Sequence, residues 1–489
     1  MAHRMAALRQ ALRTDASSSL VVFLVALPLC VGVAVASGVP AELGLITGIV
    51  GGLVTGLLPG SSLQVSGPAA GLTVLVAEAV DTYGLAALGL IVLSTGLLQI
   101  LLGALRLGGW FRAISVSVVE GMLAGIGLVL ILGQLYTLAD TAAPPSGIGK
   151  ITGLPAAVGT LFSSTTVLTA FVLGTGSIAV IVLWRRMPAR LRTLPGALVA
   201  VVLASAVTAV FDLPVATVKV SGLLDAINLP GPGAGELIEP GVIATVLAFT
   251  LIASAESLFS ASAVDRLHDG PRTRFDKELM AQGVGNTVCG VFGALPMTAV
   301  IVRSATNVQA GARTKASRVL HGLWLLLFAA LFPSVLGLIP VAALAGVLIH
   351  AGCKLLPAKQ VVPLWREHRG EAVILLITAT AIVTVSMFEG VLIGLALSVV
   401  KSAWETSHIQ LHTDERPDGR LVIRITGNAT FLRLPKILDA LDALPDDRPV
   451  ELDLTGLRHQ DHACTVSLLS WSEQHNAQEP GRVLLTSTA

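Results

Sequence analysis

Fourteen apolar runs dominate the chain as far as Trp404. Each run is long enough to cross a hydrocarbon core of about 30 Å, or half of it, and is bounded by charges, glycines or prolines. Hydrophobic residues form 53% of the chain and charged residues only 13%, whereas soluble domains carry roughly 25% charge. This pattern predicts an integral membrane protein. The runs are Leu20 to Gly38, Leu43 to Leu58, Val65 to Val80, Leu85 to Leu105, Ile114 to Leu135, Val167 to Trp184, Gly196 to Phe211, Val242 to Ala263, Leu279 to Leu295, Val300 to Ala312, Leu320 to Ile339, Val341 to Cys353, Val373 to Met387 and Val391 to Ala403.

The distribution of Lys and Arg tests this set of runs, because cytoplasmic loops of membrane proteins carry an excess of both residues. With the N-terminus inside, only Lys150 and Lys219 fall outside, in two long loops at Ala139 to Thr165 and Asp212 to Glu239. We therefore expect an even number of crossings, with both termini cytoplasmic, in the plasma (inner) membrane. The lipid bilayer is then an obligatory partner.

The charge total and the cysteines exclude several other classes of protein. A net charge of +1 gives no sign of nucleic-acid binding. Cys30, Cys289, Cys353 and Cys464 lie far apart, without the spacing of a zinc site or a disulfide framework. We expect no metal and no cofactor, and the chain has no phosphate-binding glycine loop that would indicate ATP hydrolysis.

Two of the runs, the third and the tenth, are interrupted in the same way. Gly67-Pro68 can start a helix but cannot lie inside one, so the third run predicts an extended piece and then a half-helix beginning near Gly67. The tenth run places Pro296 before a β-branched stretch and reaches Arg313 after a short helix. Because the two runs cross in opposite directions, their helix N-termini should face one another near the midplane. Opposed N-termini favour a bound anion, as in transporters with inverted repeats.

Arg303 and Glu256 are charged residues inside apolar runs, where such residues are functional candidates by default. Arg303, in the tenth run, would add a full positive charge to the anion site; the alternative is a side chain that reaches the membrane surface. Glu256, in the eighth run, is the natural site for a coupling ion or proton. Ser260, one turn later, could offer an oxygen to a cation or could simply pack between helices.

The last 85 residues, Glu405 to Ala489, are charged and differ sharply in composition from the rest. They predict a small α/β domain. Its expected elements are a strand at Leu421 to Thr426, a helix at Leu434 to Leu444, a strand at Val450 to Leu454, a helix around Cys464 to His475 and a strand at Arg482 to Thr486.

At these residues the sequence resembles the SulP (sulfate permease) family of anion transporters. The resemblance rests on Ala26-Leu27-Pro28-Leu29, Val65-Ser66-Gly67-Pro68, Glu256-Ser257-Leu258, Asn307-Val308-Gln309-Ala310-Gly311 and the C-terminal domain. It implies an all-α polytopic membrane protein of fourteen transmembrane segments in a seven-plus-seven inverted repeat, with the core and gate domains of uracil-permease-type carriers. The repeats would span about residues 15–212 and 240–404. It also implies a homodimer and a short cytoplasmic STAS domain at 405–489.

The resemblance also implies which residues form the site. The third segment would contribute Ser66, Gly67, Pro68, Ala69 and Ala70, the tenth Val302, Arg303 and Ser304, and the first helix Ala26 and Val33, while Glu256 would pair with the cation or proton. The sodium-coupled bicarbonate branch has hydroxyls where this chain has Ala69 and Ile301, so proton symport or anion exchange is favoured over sodium coupling. Ala463 occupies the position of the serine that is phosphorylated in related STAS domains, which argues against a phosphoswitch.

The sequence therefore predicts a secondary active transporter, not an enzyme, that moves a small anion by elevator-like movement of the core domain. Bicarbonate, sulfate and a dicarboxylate all fit two helix N-termini and one Arg. An anion exchanger or a passive anion channel on the same scaffold is the alternative, and a nucleobase permease is disfavoured by Arg303.

Overall fold

The computed structural model describes residues 2–111, 115–161, 164–188, 191, 194–229, 239–445 and 448–486, and the side chains of residues 2–13 and 478 lie outside this description. The chain divides into two compact units, Met1–Gly394 and Leu395–Ala489. The division falls inside the last apolar helix. Each unit is described by itself below.

The first unit is helical, apart from two three-residue strands. Its elements are α1 Ala2–Ala36, α2 Ala41–Val50 continued by a π-helical turn at Gly51–Thr55, β1 Ser66–Pro68, a 3₁₀ turn at Ala70–Leu72, α3 Thr73–Tyr83, α4 Leu85–Ala104, α5 Gly108–Phe111, α6 Val116–Leu138, α7 Gly147–Thr160, α8 Thr165–Trp184, α9 Gly196–Phe211, α10 Pro240–Val264, α11 Phe275–Val291, β2 Met297–Ala299, α12 Ile301–Gln309, α13 Ala316–Leu331, α14 Pro333–Leu336, α15 Val341–Leu355, α16 Ala358–Glu367, α17 Arg369–Thr384 and α18 Met387–Thr406.

Every one of the fourteen apolar runs overlaps a helix of this unit. Seven helical stretches in the described part of the chain are long and apolar enough to cross a membrane by themselves. The shorter apolar helices are Ala41–Thr55, Gly196–Phe211 and Ala316–Leu331. The prediction of a multi-pass helical membrane protein agrees with this architecture, and the total of fourteen crossings stays a prediction.

One local prediction in this unit was wrong. The helix of the third run does not begin near Gly67, because Ser66–Pro68 pairs as a strand and the regular α-helix starts only at Thr73. The outer loop at Ala139 to Thr165 contains α7, whose first turn is capped by the Ser146 hydroxyl accepting from the Gly149 N–H at 3.0 Å. Pro155 lies inside this helix.

The two strands cross each other as an antiparallel pair. Ser66 lies opposite Ala299, and Pro68 lies opposite Met297. So short a pair leaves some backbone groups without a partner in the other strand, and side chains bond to these groups. The Val65 N–H donates to Ser304 Oγ at 2.9 Å, and the Met297 N–H donates to Asn286 Oδ1 at 2.7 Å. Irregular backbone can exist at membrane depth only when its polar groups are satisfied within the protein, and this arrangement does so.

The core around the crossed strands depends on close helix contact. α1 packs against α2 and α13, and the buried cluster there includes Leu45, Leu325 and Leu344. A Cβ on Gly322 of α13 would lie only 2.8 Å from the Cα of Gly52 in the π-helical turn. Glycine is therefore required at this crossing, since any side chain would separate the two backbones.

The second unit contains a five-stranded sheet and two helices besides the end of α18. The elements are β3 Ile409–Glu415, β4 Leu421–Ala429, α19 Leu434–Asp442, β5 Val450–Asp453, β6 Leu457–Gln460, α20 His462–Gln478 and β7 Val483–Thr486. The strand order is β3-β4-β5-β7, with β6 also paired to β4. Ile437 and Leu441 of α19 and Leu468 of α20 are buried in one cluster with strand residues.

The five elements predicted for the tail all occur, with ends that differ by a few residues. The sequence analysis missed β3 and β6. Most β3 residues are exposed, and β6 is a four-residue strand with no fully buried side chain, so neither carries a hydrophobic pattern. The last turns of α18 contact this unit through Arg433, whose guanidinium lies 4.4 Å over the Trp404 ring.

Candidate functional site

The helical unit encloses a cavity of about 400 Å³ beside the crossed strands. Both interrupted segments reach it, together with α1, α6, α10 and α15. The lining includes Val25, Leu29, Val33, Pro68, Ala69, Ala70, Gly71, Met122, Glu256, Phe259, Ser260, Val300, Ile301, Val302, Arg303, Thr306, Val347, His350 and Lys354. The wall is largely apolar and carries few polar groups.

Two helix starts lie in the wall of this cavity. The 3₁₀ turn before α3 follows Ala69, and α12 follows Val300; both preceding residues are extended, and neither supplies a side-chain cap. The first N–H groups of a helix have no intrahelical partner and carry the positive end of the helix dipole. Two such ends on one cavity favour an anion.

Arg303 is the residue that gives the cavity its charge. It is completely buried, and its Nε and Nη1 have no hydrogen-bond partner within the described part of the chain. Its guanidinium packs directly on the backbone of Gly67 and is near enough to the Cys30 thiol to act on it electrostatically. A buried cation without a carboxylate partner is strongly unfavourable unless a ligand supplies the negative charge.

Glu256, on α10, also lines the cavity. Both carboxylate oxygens are 2.8 Å from the position that a Cβ on Gly71 would take. One of them, Oε2, is buried without a partner among the residues described. Glu256 therefore lies against the first turn of the third segment, where the carboxylate and a bound anion would share the same electrostatic environment.

Ser260 is oriented by the second strand. Its hydroxyl donates to the Ala299 carbonyl at 2.9 Å, so its proton is already used by the protein. Ala69 and Ile301, which also line the cavity, have no side-chain oxygen to offer a cation.

The remaining predicted site residues fall into two groups. Pro68, Ala69, Ala70, Val33 and Val302 line the cavity. Ser66, Gly67, Ser304 and Ala26 do not: Ser66 accepts a hydrogen bond from Gln282, Gly67 supports Arg303, Ser304 bonds the backbone of the crossed strands, and Ala26 is fully buried in the α1 core cluster. Any contribution of these four residues to the site is to hold neighbouring residues in place.

Sequence reasoning missed three basic residues of the lining, Arg185, His350 and Lys354. Arg185 and Lys354 had been assigned only to cytoplasmic loops. The sequence places both basic residues at the ends of apolar runs, but it does not show that their side chains line the cavity. Only tertiary packing brings the ends of α8 and α15 to one cavity.

A multi-pass helical unit around an enclosed site of this kind is typical of a membrane transporter. The model of the sulfate permease family matches residues 12–378, and the chain belongs to that family. The family and its relatives are transporters, not enzymes, as the sequence indicated.

The relatives and neighbours agree with this assignment. The bicarbonate transporter BicA of a Picosynechococcus strain is 27% identical over 70% of this chain, which spans 61% of that relative's length. The solved transmembrane domain of a cyanobacterial BicA is 25% identical, with a TM-score of 0.66 over 79% of this chain and 97% of that chain. The murine anion transporter Slc26a9 is 15% identical, with a TM-score of 0.80 over 97% of this chain and 85% of that chain, and this likeness concerns the fold.

Proposed function

We propose that this protein is a secondary active transporter that carries one small anion, such as bicarbonate, sulfate or a small dicarboxylate, through the cavity between the two helix starts. The observation that carries the proposal is the completely buried Arg303, whose Nε and Nη1 have no partner among the described residues. An anion bound at the two helix N-termini would neutralise this charge and accept hydrogen bonds from it.

Glu256 is proposed to couple transport to a proton. An ionised carboxylate and a bound anion repel each other across so small a cavity, and this repulsion is relieved when Glu256 takes up a proton. Proton and anion then bind together, which is the requirement for symport. The absence of side-chain oxygens at Ala69 and Ile301 in the lining is the reason to prefer a proton over sodium.

The proposed architecture has fourteen crossings in two inverted repeats, with elevator-like movement of the core against the gate. Its support is the antiparallel pairing of β1 with β2, each followed by a short helix. β1 and α3 begin in the third of fourteen runs, and β2 and α12 lie directly before and within the tenth; these are corresponding positions of two seven-segment repeats. A homodimer in the plasma (inner) membrane, with cytoplasmic termini and a STAS domain formed by the second unit, completes the proposal.

Uptake into proteoliposomes tests this function. Labelled bicarbonate, sulfate and fumarate would be supplied under an imposed pH gradient, a sodium gradient or neither. We expect accumulation of one anion that follows the pH gradient. Accumulation that needs sodium would overturn the assignment of the coupling ion, and downhill flux indifferent to both gradients would instead indicate a channel or exchanger.

Gly71 provides a steric test of the site. In Gly71→Ala the new Cβ would meet both Glu256 carboxylate oxygens at 2.8 Å, so Glu256 must shift and coupled uptake should fall at least tenfold, as expected for a displaced functional group. Gly176→Ala is the matched control, because a Cβ there meets nothing within 4 Å. Parent-like coupled uptake by Gly71→Ala would show that the position of Glu256 is unimportant.

A further inference from the structure

A second buried polar group lies outside the cavity lining but close enough to Arg303 to feel its charge. His321, on α13, is completely buried. Its Nδ1 is hydrogen-bonded to the Arg318 carbonyl, one turn earlier on the same helix. A carbonyl oxygen can only accept, so Nδ1 carries the proton, and in the neutral ring Nε2 is left with a free lone pair.

That lone pair has no partner among the described residues. The positive charges of Arg303 and Arg318 both lie close enough to act on the ring, and a third charge there would be repelled by both. The neutral ring is therefore the form that fits this environment, and its Nε2 is a hydrogen-bond acceptor.

The packing around Gly48 places helix α13 close to the backbone on which Arg303 packs. The Arg303 guanidinium packs on Gly67, and a Cβ on Gly67 would be 3.7 Å from the Cα of Gly48. On its other side, a Cβ on Gly48 would be 2.7 Å from Cys30 Sγ and 3.0 Å from Leu325 Cδ1. Leu325 is one helical turn after His321, on the same face of α13.

We propose that His321 is a positioning residue for Arg303: its Nε2 accepts a hydrogen bond from the unpartnered Arg303 N–H groups through one bridging water. Two unpartnered donors and one unpartnered acceptor in the same buried core provide the polar partners that an ordered water requires. The contact would hold the guanidinium toward the anion with a neutral acceptor, which does not compete for the charge as a carboxylate would.

The inference rests on the proposed function of Arg303, and substitutions at both positions separate the two. In proteoliposomes supplied with labelled sulfate, bicarbonate or fumarate, His321→Leu should raise the KM for the transported anion about tenfold, roughly the effect of one lost hydrogen bond to a charged group. His321→Gln keeps an acceptor and should restore a KM near that of the parent. Ser317 lies on the same helix as His321, and its buried hydroxyl donates to Asn307 of α12. Ser317→Ala should lower the melting temperature without changing KM.

The double variant gives the decisive comparison. If His321 acts through Arg303, then His321→Leu should add nothing to the KM of Arg303→Ala. Equal KM values for His321→Leu and His321→Gln, or additive effects in the double variant, would overturn this inference while leaving the anion site standing. A parent-like KM in Arg303→Ala would instead overturn the proposed function itself.

Discussion

Replacing Glu256 with glutamine should abolish accumulation of the anion against its gradient, while exchange of internal for external anion continues. The amide has nearly the same shape as the carboxyl group but cannot take up a proton. A pH difference of one unit is worth about 1.4 kcal/mol per proton, so one-to-one symport of a monoanion can support about tenfold accumulation. In Glu256→Gln that ratio should fall to about one.

Glu120→Gln is the matched control for this result. Glu120 lies on α6, the helix that also brings Met122 to the cavity, but its own side chain is not part of the lining. The Glu120→Gln variant should accumulate anion like the parent. Because acidification converts bicarbonate into membrane-permeable carbon dioxide, any bicarbonate result needs parallel measurements with sulfate and fumarate. Accumulation by Glu256→Gln at the parent ratio would remove Glu256 from the coupling mechanism.

Local sequence signals predicted the helices well where the ends are marked in the chain itself. The run Gly196 to Phe211 matches α9 at both ends, because Pro195 and Asp212 bound it. The same local logic failed at Gly67-Pro68, where a proline suited to a helix start lies in a strand. The partner that makes it a strand is Met297, and a pairing over so long a separation leaves no mark in the local pattern.

The residues of the candidate site also divide into those that local sequence signals identify and those that depend on tertiary packing. Arg303 and Glu256 could be found because an ionisable residue inside an apolar run is costly and therefore conspicuous. His321 could not: it also lies in an apolar run, but the role proposed for it depends on its proximity to Arg303, which only tertiary packing creates. Ala26 is the opposite case. A sequence motif placed it at the pocket, but in the structure its side chain is buried in the core cluster.

Replacing Arg303 with alanine should weaken anion binding without destabilising the empty protein. A hydrogen bond to a charged group contributes about 1.5–3 kcal/mol, so the KM or Kd for the anion should rise roughly ten- to a hundredfold. Arg303→Lys keeps the charge but loses the planar fork of donors, and should fall between the parent and Arg303→Ala. Melting temperature, KM and direct anion binding would be measured on each variant.

The effect on stability distinguishes binding from a structural role, and Arg318 is the control. Both arginines are buried, but the Arg318 guanidinium donates to the Gly56 carbonyl at 2.9 Å and the Leu58 carbonyl at 2.8 Å. Arg318→Ala should therefore lower the melting temperature, because it removes the donor to the buried Gly56 carbonyl and one of the two donors to the Leu58 carbonyl. Arg303→Ala removes an uncompensated buried charge, so the melting temperature of the anion-free protein should stay level or rise. A fall as large as that of Arg318→Ala would mean that Arg303 holds the fold together, and the anion would then require another binding group.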